Sequence, residues 1–246
     1  MELPTKPQPP LREEPKSLLL YGKQKIGKTT TLAQLPNNLI IDLEKGTEAV
    51  TAMRVTVKSL NELSKVIKKI MNKEKSYDFI TIDTVTKLET WCEKAAFKEY
   101  KDTPKGKKTN ASTLFELDYG LGYGLLRNKF REILDVLKDL PCTIILCAHV
   151  KDKYVSVDND EVKSCELDLV GKIKSLITSN VDSIGYLYQD SDNSNQRKLT
   201  FETKEEIICG NRYSYLEGKE FTISKEVDDK IKTNWEKIFP SINKNN

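Results

Sequence analysis

The sequence has a single histidine, His149, and only five cysteines, Cys92, Cys142, Cys147, Cys165 and Cys209, with no C-x-x-C pair. One histidine removes histidine-based catalytic triads and most zinc sites. An odd, scattered set of thiols fits a reducing compartment better than a disulfide framework. Long apolar runs are missing too. No stretch reaches the length of a membrane span, and Met1-Glu2-Leu3-Pro4 opens the chain without an apolar signal region. A cytoplasmic protein without membrane partners is expected. Net charge is equally scarce: 40 Lys and Arg against 37 Asp and Glu leave +3. That balance does not argue for nucleic-acid binding by the whole surface, although a local patch remains open. There is no N-K-x-D guanine motif, which counts against a GTPase, and there are no internal repeats. A small-molecule kinase would need an acceptor site that no motif supplies.

What is present is enough for a sizeable core: 246 residues, 38% apolar and 31% charged. Five of the nine prolines fall in residues 1–16, which read as an extended lead-in. Residues 17–240 are expected to form one domain, and 241–246 a frayed tail. Leu18–Tyr21 reads as a strand. It leads into Gly22-Lys23-Gln24-Lys25-Ile26-Gly27-Lys28-Thr29, followed by Thr30 and a helix running to about Leu35. This is the phosphate-binding P-loop pattern G-x-x-x-x-G-K-[ST]. Its glycines let backbone N–H groups approach phosphate oxygens, and the helix N-terminus points at the same anion. Lys28 would reach the β- and γ-phosphates of ATP, and the Thr29 hydroxyl would sit on Mg2+.

Further strands follow. Leu39-Ile40-Ile41 runs into Asp42-Leu43-Glu44-Lys45-Gly46, where Asp42 and Glu44, two apart, would point to one side of an extended chain. Ser59-Leu60-Asn61-Glu62 is a capping box opening an amphipathic helix. Phe79-Ile80-Thr81-Ile82-Asp83-Thr84 reads as a Walker-B strand whose Asp83 would hold Mg2+. Asp83 as the cap of the next helix is the alternative. Lys98 to Thr113, rich in lysine, reads as an exposed basic loop, either solvated or in contact with a nucleic-acid backbone. After a helix through Leu126, Phe130 and Leu134, Thr143–Ala148 reads as another buried parallel strand, delivering His149 to its C-terminal end. Hairpins are expected across Asp158-Asn159-Asp160 and across Asp192–Asn195. Gly210-Asn211-Arg212 reads as a turn, and a last helix is expected with Ser224 as its cap and Val227, Ile231, Trp235 and Ile238 inward.

In their order, Gly22–Thr29, Asp42–Gly46, Ile82-Asp83-Thr84, Asp118-Tyr119-Gly120, Ala148-His149 and Gly210-Asn211-Arg212 resemble the bacteriophage branch of RecA-like P-loop ATPases. These are short AAA-type ATP-binding proteins that include single-strand annealing recombinases. The resemblance spans roughly residues 17–215. It implies an α/β RecA-like P-loop NTPase core, with a mostly parallel sheet flanked by helices and antiparallel hairpins added in the C-terminal third. It implies an ATPase with ATP and Mg2+ as cofactors. Glu44 would activate the attacking water, with Asp42 the competing candidate, and His149 would be the polar sensor of the γ-phosphate. It further implies single-stranded DNA as a partner, contacted by the polar stretch from Lys151 to Cys165 and by the segment before Tyr119. A single-strand-binding protein, a homo-oligomer and the host-cell cytoplasm follow from the same resemblance. Lys151, Lys153 or Arg212 would be candidates for a cationic finger on a neighbour's ATP. The rival reading is a nucleotide-dependent binding module that loads a replication or recombination partner, with little DNA affinity of its own.

Overall fold

The computed structural model describes residues 3–73, 76–157, 160–204, 207–228 and 230–244, with backbone alone for 153–157, 160–164 and 244. In chain order the elements are β1 (Ser17–Gly22), α1 (Lys28–Ala33), β2 (Asn38–Asp42), β3 (Arg54–Thr56), α2 (Leu60–Met71), β4 (Phe79–Asp83), α3 (Val85–Asp102) and α4 (Leu121–Lys138). Then come β5 (Thr143–Val157), β6 (Asp160–Leu167), α5 (Ile173–Asn180), β7 (Ser183–Gln189), β8 (Gln196–Thr200), β9 (Gly210–Asn211), β10 (Glu220–Val227) and β11 (Lys230–Thr233). The strand order is β11-β10-β8-β7-β1-β5-β4-β2-β3, so β1 runs through the middle of the sheet. From β3 to β7 every neighbouring pair is parallel, whereas β8, β10 and β11 extend the sheet antiparallel. This is the expected α/β architecture, a mostly parallel sheet flanked by helices, with its antiparallel additions in the C-terminal third.

The central strands are apolar throughout because both faces are covered. Along β1, Leu19 and Tyr21 face a core shared with α2, α3, α4 and α5. Leu18 and Leu20 face a second core built from Leu32 of α1, Ile223, Trp235 and Phe239. On β5, Ile144, Leu146 and Ala148 alternate with Ile145 and Cys147 in the same way. The capping box at Ser59 is present, its hydroxyl accepting from Glu62 N while Glu62 reaches back to Lys58 N.

Several expectations change. The helix expected after a Ser224 cap, through Val227, Ile231, Trp235 and Ile238, is instead the β10–β11 hairpin followed by a 3-10 turn at Trp235–Lys237, and Ser224 lies inside β10. Phe221 and Ile223 alternate with polar neighbours, and Asp228 at φ 51 turns the chain. That period of two outweighs the helical spacing of Val227, Ile231 and Trp235. Helix α3 continues to Asp102, so Lys98 and Lys101 are helical rather than in a loop. Lys101 Nζ ties down the segment that follows, donating to the Thr109 and Ala111 carbonyls. Gly210–Asn211, expected as a turn, pairs with Ser183 and Ile184. Helix α5 and the short β3 carry patterns too brief to stand out in the sequence. Of the turn expected at Asp158-Asn159-Asp160, the first two residues lie outside the described residues, but β5 and β6 flank it as an antiparallel pair. Residues Pro240–Lys244 form a 3-10 turn, with Ser241 donating to Glu14 through N and Oγ at 2.8 and 2.6 Å.

Trp235 joins the antiparallel extension to the P-loop helix. Its indole is 2% exposed and Nε1 donates to the Thr31 carbonyl at 3.0 Å. Trp235→Ala is therefore expected to destabilise the fold by about 3–5 kcal/mol, chiefly through a large cavity. Urea unfolding measures this; a loss below about 1 kcal/mol would show that the extension packs independently of α1.

Candidate functional site

The parallel pairing of β1, β5, β4 and β2 ends along one edge, with Gly22 opposite His149, and Asp83 opposite both Cys147 and Asp42, although β5, expected to end at His149, runs on to Val157 paired with β6. Their C-terminal ends are where ligands bind in open α/β sheets. Here the edge opens into a cleft of about 390 Å³ lined by Gln24, Lys25, Gly27, Lys28, Thr29, Thr30, Asp42, Glu44, Asp83 and His149, among others. Gly22, Lys23 and Ile26 contribute carbonyls, the first two accepting from Lys28 Nζ and the third from Arg197 Nε. At Gly22 a Cβ would lie 2.4 Å from the Leu187 carbonyl, so close approach of β7 demands glycine there. Gly27 adopts φ 95 and carries no side-chain cap on α1, leaving the first-turn N–H groups open to the cleft.

Lys28 is 5% exposed, and its three donors are all taken. Nζ donates to the Gly22 and Lys23 carbonyls at 3.0 and 2.8 Å and lies 3.2 Å from His149 Nδ1. An ammonium has no acceptor, so Nδ1 must accept. The hydrogen then belongs on Nε2, which donates to Glu44 Oε2 at 3.2 Å. The other Glu44 oxygen accepts from the Thr84 hydroxyl at 2.9 Å. A continuous path thus runs from the P-loop lysine through His149 to Glu44. The His149 bond, and then the Thr84 bond, hold the Glu44 carboxyl below its ordinary range against partial burial. His149 is itself fixed by its backbone N–H, which donates to Thr86 Oγ1 at 3.3 Å.

Asp42 and Glu44, expected on one side, part company. The strand ends at Asp42 and the chain turns through Lys45 at φ 64. Asp42 is fully buried and accepts from Glu44 N, Gly46 N, Thr47 N and the Thr47 hydroxyl. Burial opposes its charge, but these bonds leave its pKa lowered. It is committed to holding the loop that presents Glu44. Asp83 is placed differently. Helix α3 is capped by Thr84, whose hydroxyl accepts from Lys87 N, so Asp83 is free to face Thr29. Thr29 Oγ1 donates to Asp83 Oδ2 at 2.7 Å, while burial raises the Asp83 pKa.

This pair fits Mg2+, which prefers one or two carboxylates supplemented by substrate phosphates and water. A divalent cation would relieve the burial of Asp83. The cleft's three carboxylates also outnumber its two lysines, so a polyphosphate is accepted more readily together with a cation. Among the described residues no group of three or more His, Cys, Asp or Glu forms a metal cage.

The family pattern of the AAA domain matches residues 14–213. The chain belongs to the AAA domain family. No curated protein matches it. Solved structures similar to this AAA domain include the RadB recombinase, at 13% identity and TM-score 0.44, covering 90% of this chain and 92% of that one. Another is a KaiC-like protein from the hyperthermophilic archaeon Pyrococcus horikoshii OT3, at 13% identity and TM-score 0.47, covering 89% and 88%. Among the described residues, no helix of this AAA domain is long and apolar enough to cross a membrane.

Three contributors escaped the sequence reading. Thr84 and Thr86 carried a faint signal, as hydroxyls close after Asp83 in the sequence. Arg197 carried none: it reaches from β8 to donate from Nε to the Ile26 carbonyl at 2.7 Å, bracing the P-loop 171 residues away in sequence. Among the cationic-finger candidates, Arg212 pairs with Asp182 at 3.5 Å, beside the start of β7 and away from this cleft. Lys151 lies 4.0 Å from Asp168, and the Lys153 side chain lies outside the described residues.

Removing the Arg197 brace (Arg197→Ala) is expected to weaken ATP binding about tenfold, the order of one charge-assisted hydrogen bond. Fluorescent-nucleotide titration measures it, and an unchanged affinity would mean that the P-loop holds its own shape. A second outcome concerns Glu89 of α3, which is 7% exposed and accepts from Val170 N at 2.8 Å. Burial pushes its pKa from 4.5 to about 7. The folded state therefore favours the proton. Glu89 contributes stability below pH 4.5 that is lost as pH rises to 7. Glu89→Gln should abolish that loss, gaining about 3 kcal/mol over wild type between those limits. Parallel pH–stability curves from urea unfolding would contradict it.

Proposed function

We propose that this AAA domain hydrolyses ATP with Mg2+, that residues 17–240 act as one ATPase domain, and that single-stranded DNA is the partner of the cycle. The observation that carries the hydrolytic part is the hydrogen-bonded path Lys28–His149–Glu44, set beside the Thr29–Asp83 pair. Bound Mg2+ would neutralise charge on the β- and γ-phosphates, held by Thr29 and Asp83. The chain's own residues do the rest by positioning. P-loop N–H groups from Gly27 to Thr30 cradle the phosphates. Lys28 gives up an internal partner to meet them, since none of its donors is spare. Glu44, kept ionised by the donors His149 and Thr84, orients water and takes its proton. His149 reads whether Lys28 has turned to the phosphate, because the two share a bond.

The DNA part is supported by what lies outward of His149. Strand β5 continues from it into the β5–β6 hairpin, and Asp168 N returns to donate to the His149 carbonyl at 3.0 Å. Before α4 stand Lys105, Lys107 and Lys108, then Tyr119, fully exposed at φ 53, and in its first turn Tyr123, half exposed. One segment that carries both exposed cations and exposed aromatic rings suits a single strand, whose bases stack while its phosphates are neutralised.

Phosphate release from ATP, with and without an oligo(dT) strand, tests the reading. Wild type should hydrolyse ATP and be stimulated by the strand. Lys28→Ala should lose ATP binding, and Glu44→Gln should bind ATP but hydrolyse it about 100-fold more slowly or worse. Normal turnover by Lys28→Ala would sink the hydrolytic reading. Hydrolysis without any oligonucleotide binding at low salt would favour a module that loads a protein partner.

A further inference from the structure

A second cavity, of about 520 Å³, opens at the opposite end of the same central strand and is lined by Arg12, Lys16, Lys138, Arg212, Ser17 and Asp182, among others. Ser17 starts β1 where Gly22 ends it, so this cavity and the P-loop lie roughly 17 Å apart, at 3.3 Å per residue. Four cations converge here on one carboxylate. They come from the proline-rich lead-in, the end of α4 and the segment after β9, so the fold gathers them from distant parts of the chain.

Asp182 does not balance them. Its carboxylate accepts the Lys16 backbone N–H at 3.0 Å and meets Arg12 and Arg212 only loosely, at 3.7 and 3.5 Å. Glu14 is committed elsewhere, to Ser241. Lys138 has an ordinary explanation: it sits at the C-terminal end of α4 and donates to Asn180 at the end of α5, complementing two helix dipoles. Arg12, Lys16 and Arg212 have only the one Asp182 carboxylate of this cavity between them. Like charges brought together without counter-charge repel, and such a group persists where an anion supplies the missing charge. The other polar groups are chiefly donors. Ser17 Oγ already accepts from Asp182 N and has its own hydrogen to give, while the Asn180 amide is spent on Leu176 O. The two guanidiniums are half or more exposed, at 52% and 65%, and open to bidentate contact.

We infer that this cavity is a second anion site, in which Arg12, Lys16 and Arg212 take the phosphate oxyanions of a nucleic-acid backbone or of free polyphosphate. It does not depend on the hydrolytic reading, because neither the P-loop nor Glu44 contributes to it.

The test uses the full chain carrying Lys28→Ala, which removes phosphate binding at the P-loop. Fluorescein-labelled oligo(dT) is titrated by anisotropy across a salt series, and tripolyphosphate by calorimetry. Each is repeated with Arg12→Gln/Arg212→Gln and, in case that pair perturbs folding, with Lys16→Gln/Lys138→Gln. If the backbone is the ligand, oligo(dT) binding falls about tenfold or more. The slope of log K against log salt then shrinks by about 1.4, for two lost contacts at ~0.7 each. If free polyphosphate is the ligand, tripolyphosphate binding is lost while oligo(dT) is unaffected. Binding of both probes unchanged in the folded variants overturns the inference. So does binding of neither probe by the parent, or capture of poly-glutamate without either phosphate probe, which would make the cavity a dock for an acidic protein. Turnover by Lys28→Ala alone bears only on the proposed function.

Discussion

A buried ammonium with no donor to spare sets the geometry of this protein's cleft. Lys28 is almost fully enclosed, and an unpaired charge there would be costly. It is satisfied by two carbonyls of its own loop and one histidine nitrogen from β5. That third bond obliges β5 to lie beside β1, which the parallel register Gly22 to His149 provides. From His149 the constraint passes to Glu44 on the far side of β4. The sheet order thus serves as the frame of a hydrogen-bonded path that crosses three strands.

The three carboxylates of the cleft show how environment separates roles among like groups. Asp42 spends its oxygens on the loop behind it. Glu44 faces the cleft under two donors that hold it ionised. Asp83 is pushed toward neutrality by burial and has the Thr29 hydroxyl against one oxygen. Under the proposed function these become a structural tether, a base and a metal ligand. The distinction rests on how many hydrogen bonds each accepts, which the three residue names do not reveal.

Much of this was legible in the sequence, because motif residues are local. The P-loop, the apolar runs that lead to Asp42, Asp83 and His149, and the capping box at Ser59 are all short-range patterns whose physics is complete within a few residues. The misreadings arose where tertiary pairing decides. Val227, Ile231 and Trp235 have helical spacing, yet the edge offered by β8 draws residues 220–227 into a strand. Asp42 and Glu44 alternate on paper, but the strand ends between them. Arg197 was invisible because bracing Ile26 depends on β8 lying near β1 across β7, a fact of topology. The gathering of Arg12, Lys16 and Arg212 is hidden for the same reason.

The central claim is that His149 joins Lys28 to Glu44 and so places the proposed base. The most direct test is the rate of phosphate release from saturating ATP by His149→Phe, which keeps an aromatic ring at this position but removes both hydrogen bonds. The account predicts a fall of about tenfold or more, with ATP affinity within about threefold of wild type. Turnover within about twofold of wild type would contradict it, leaving the Lys28–His149–Glu44 path a feature of packing alone.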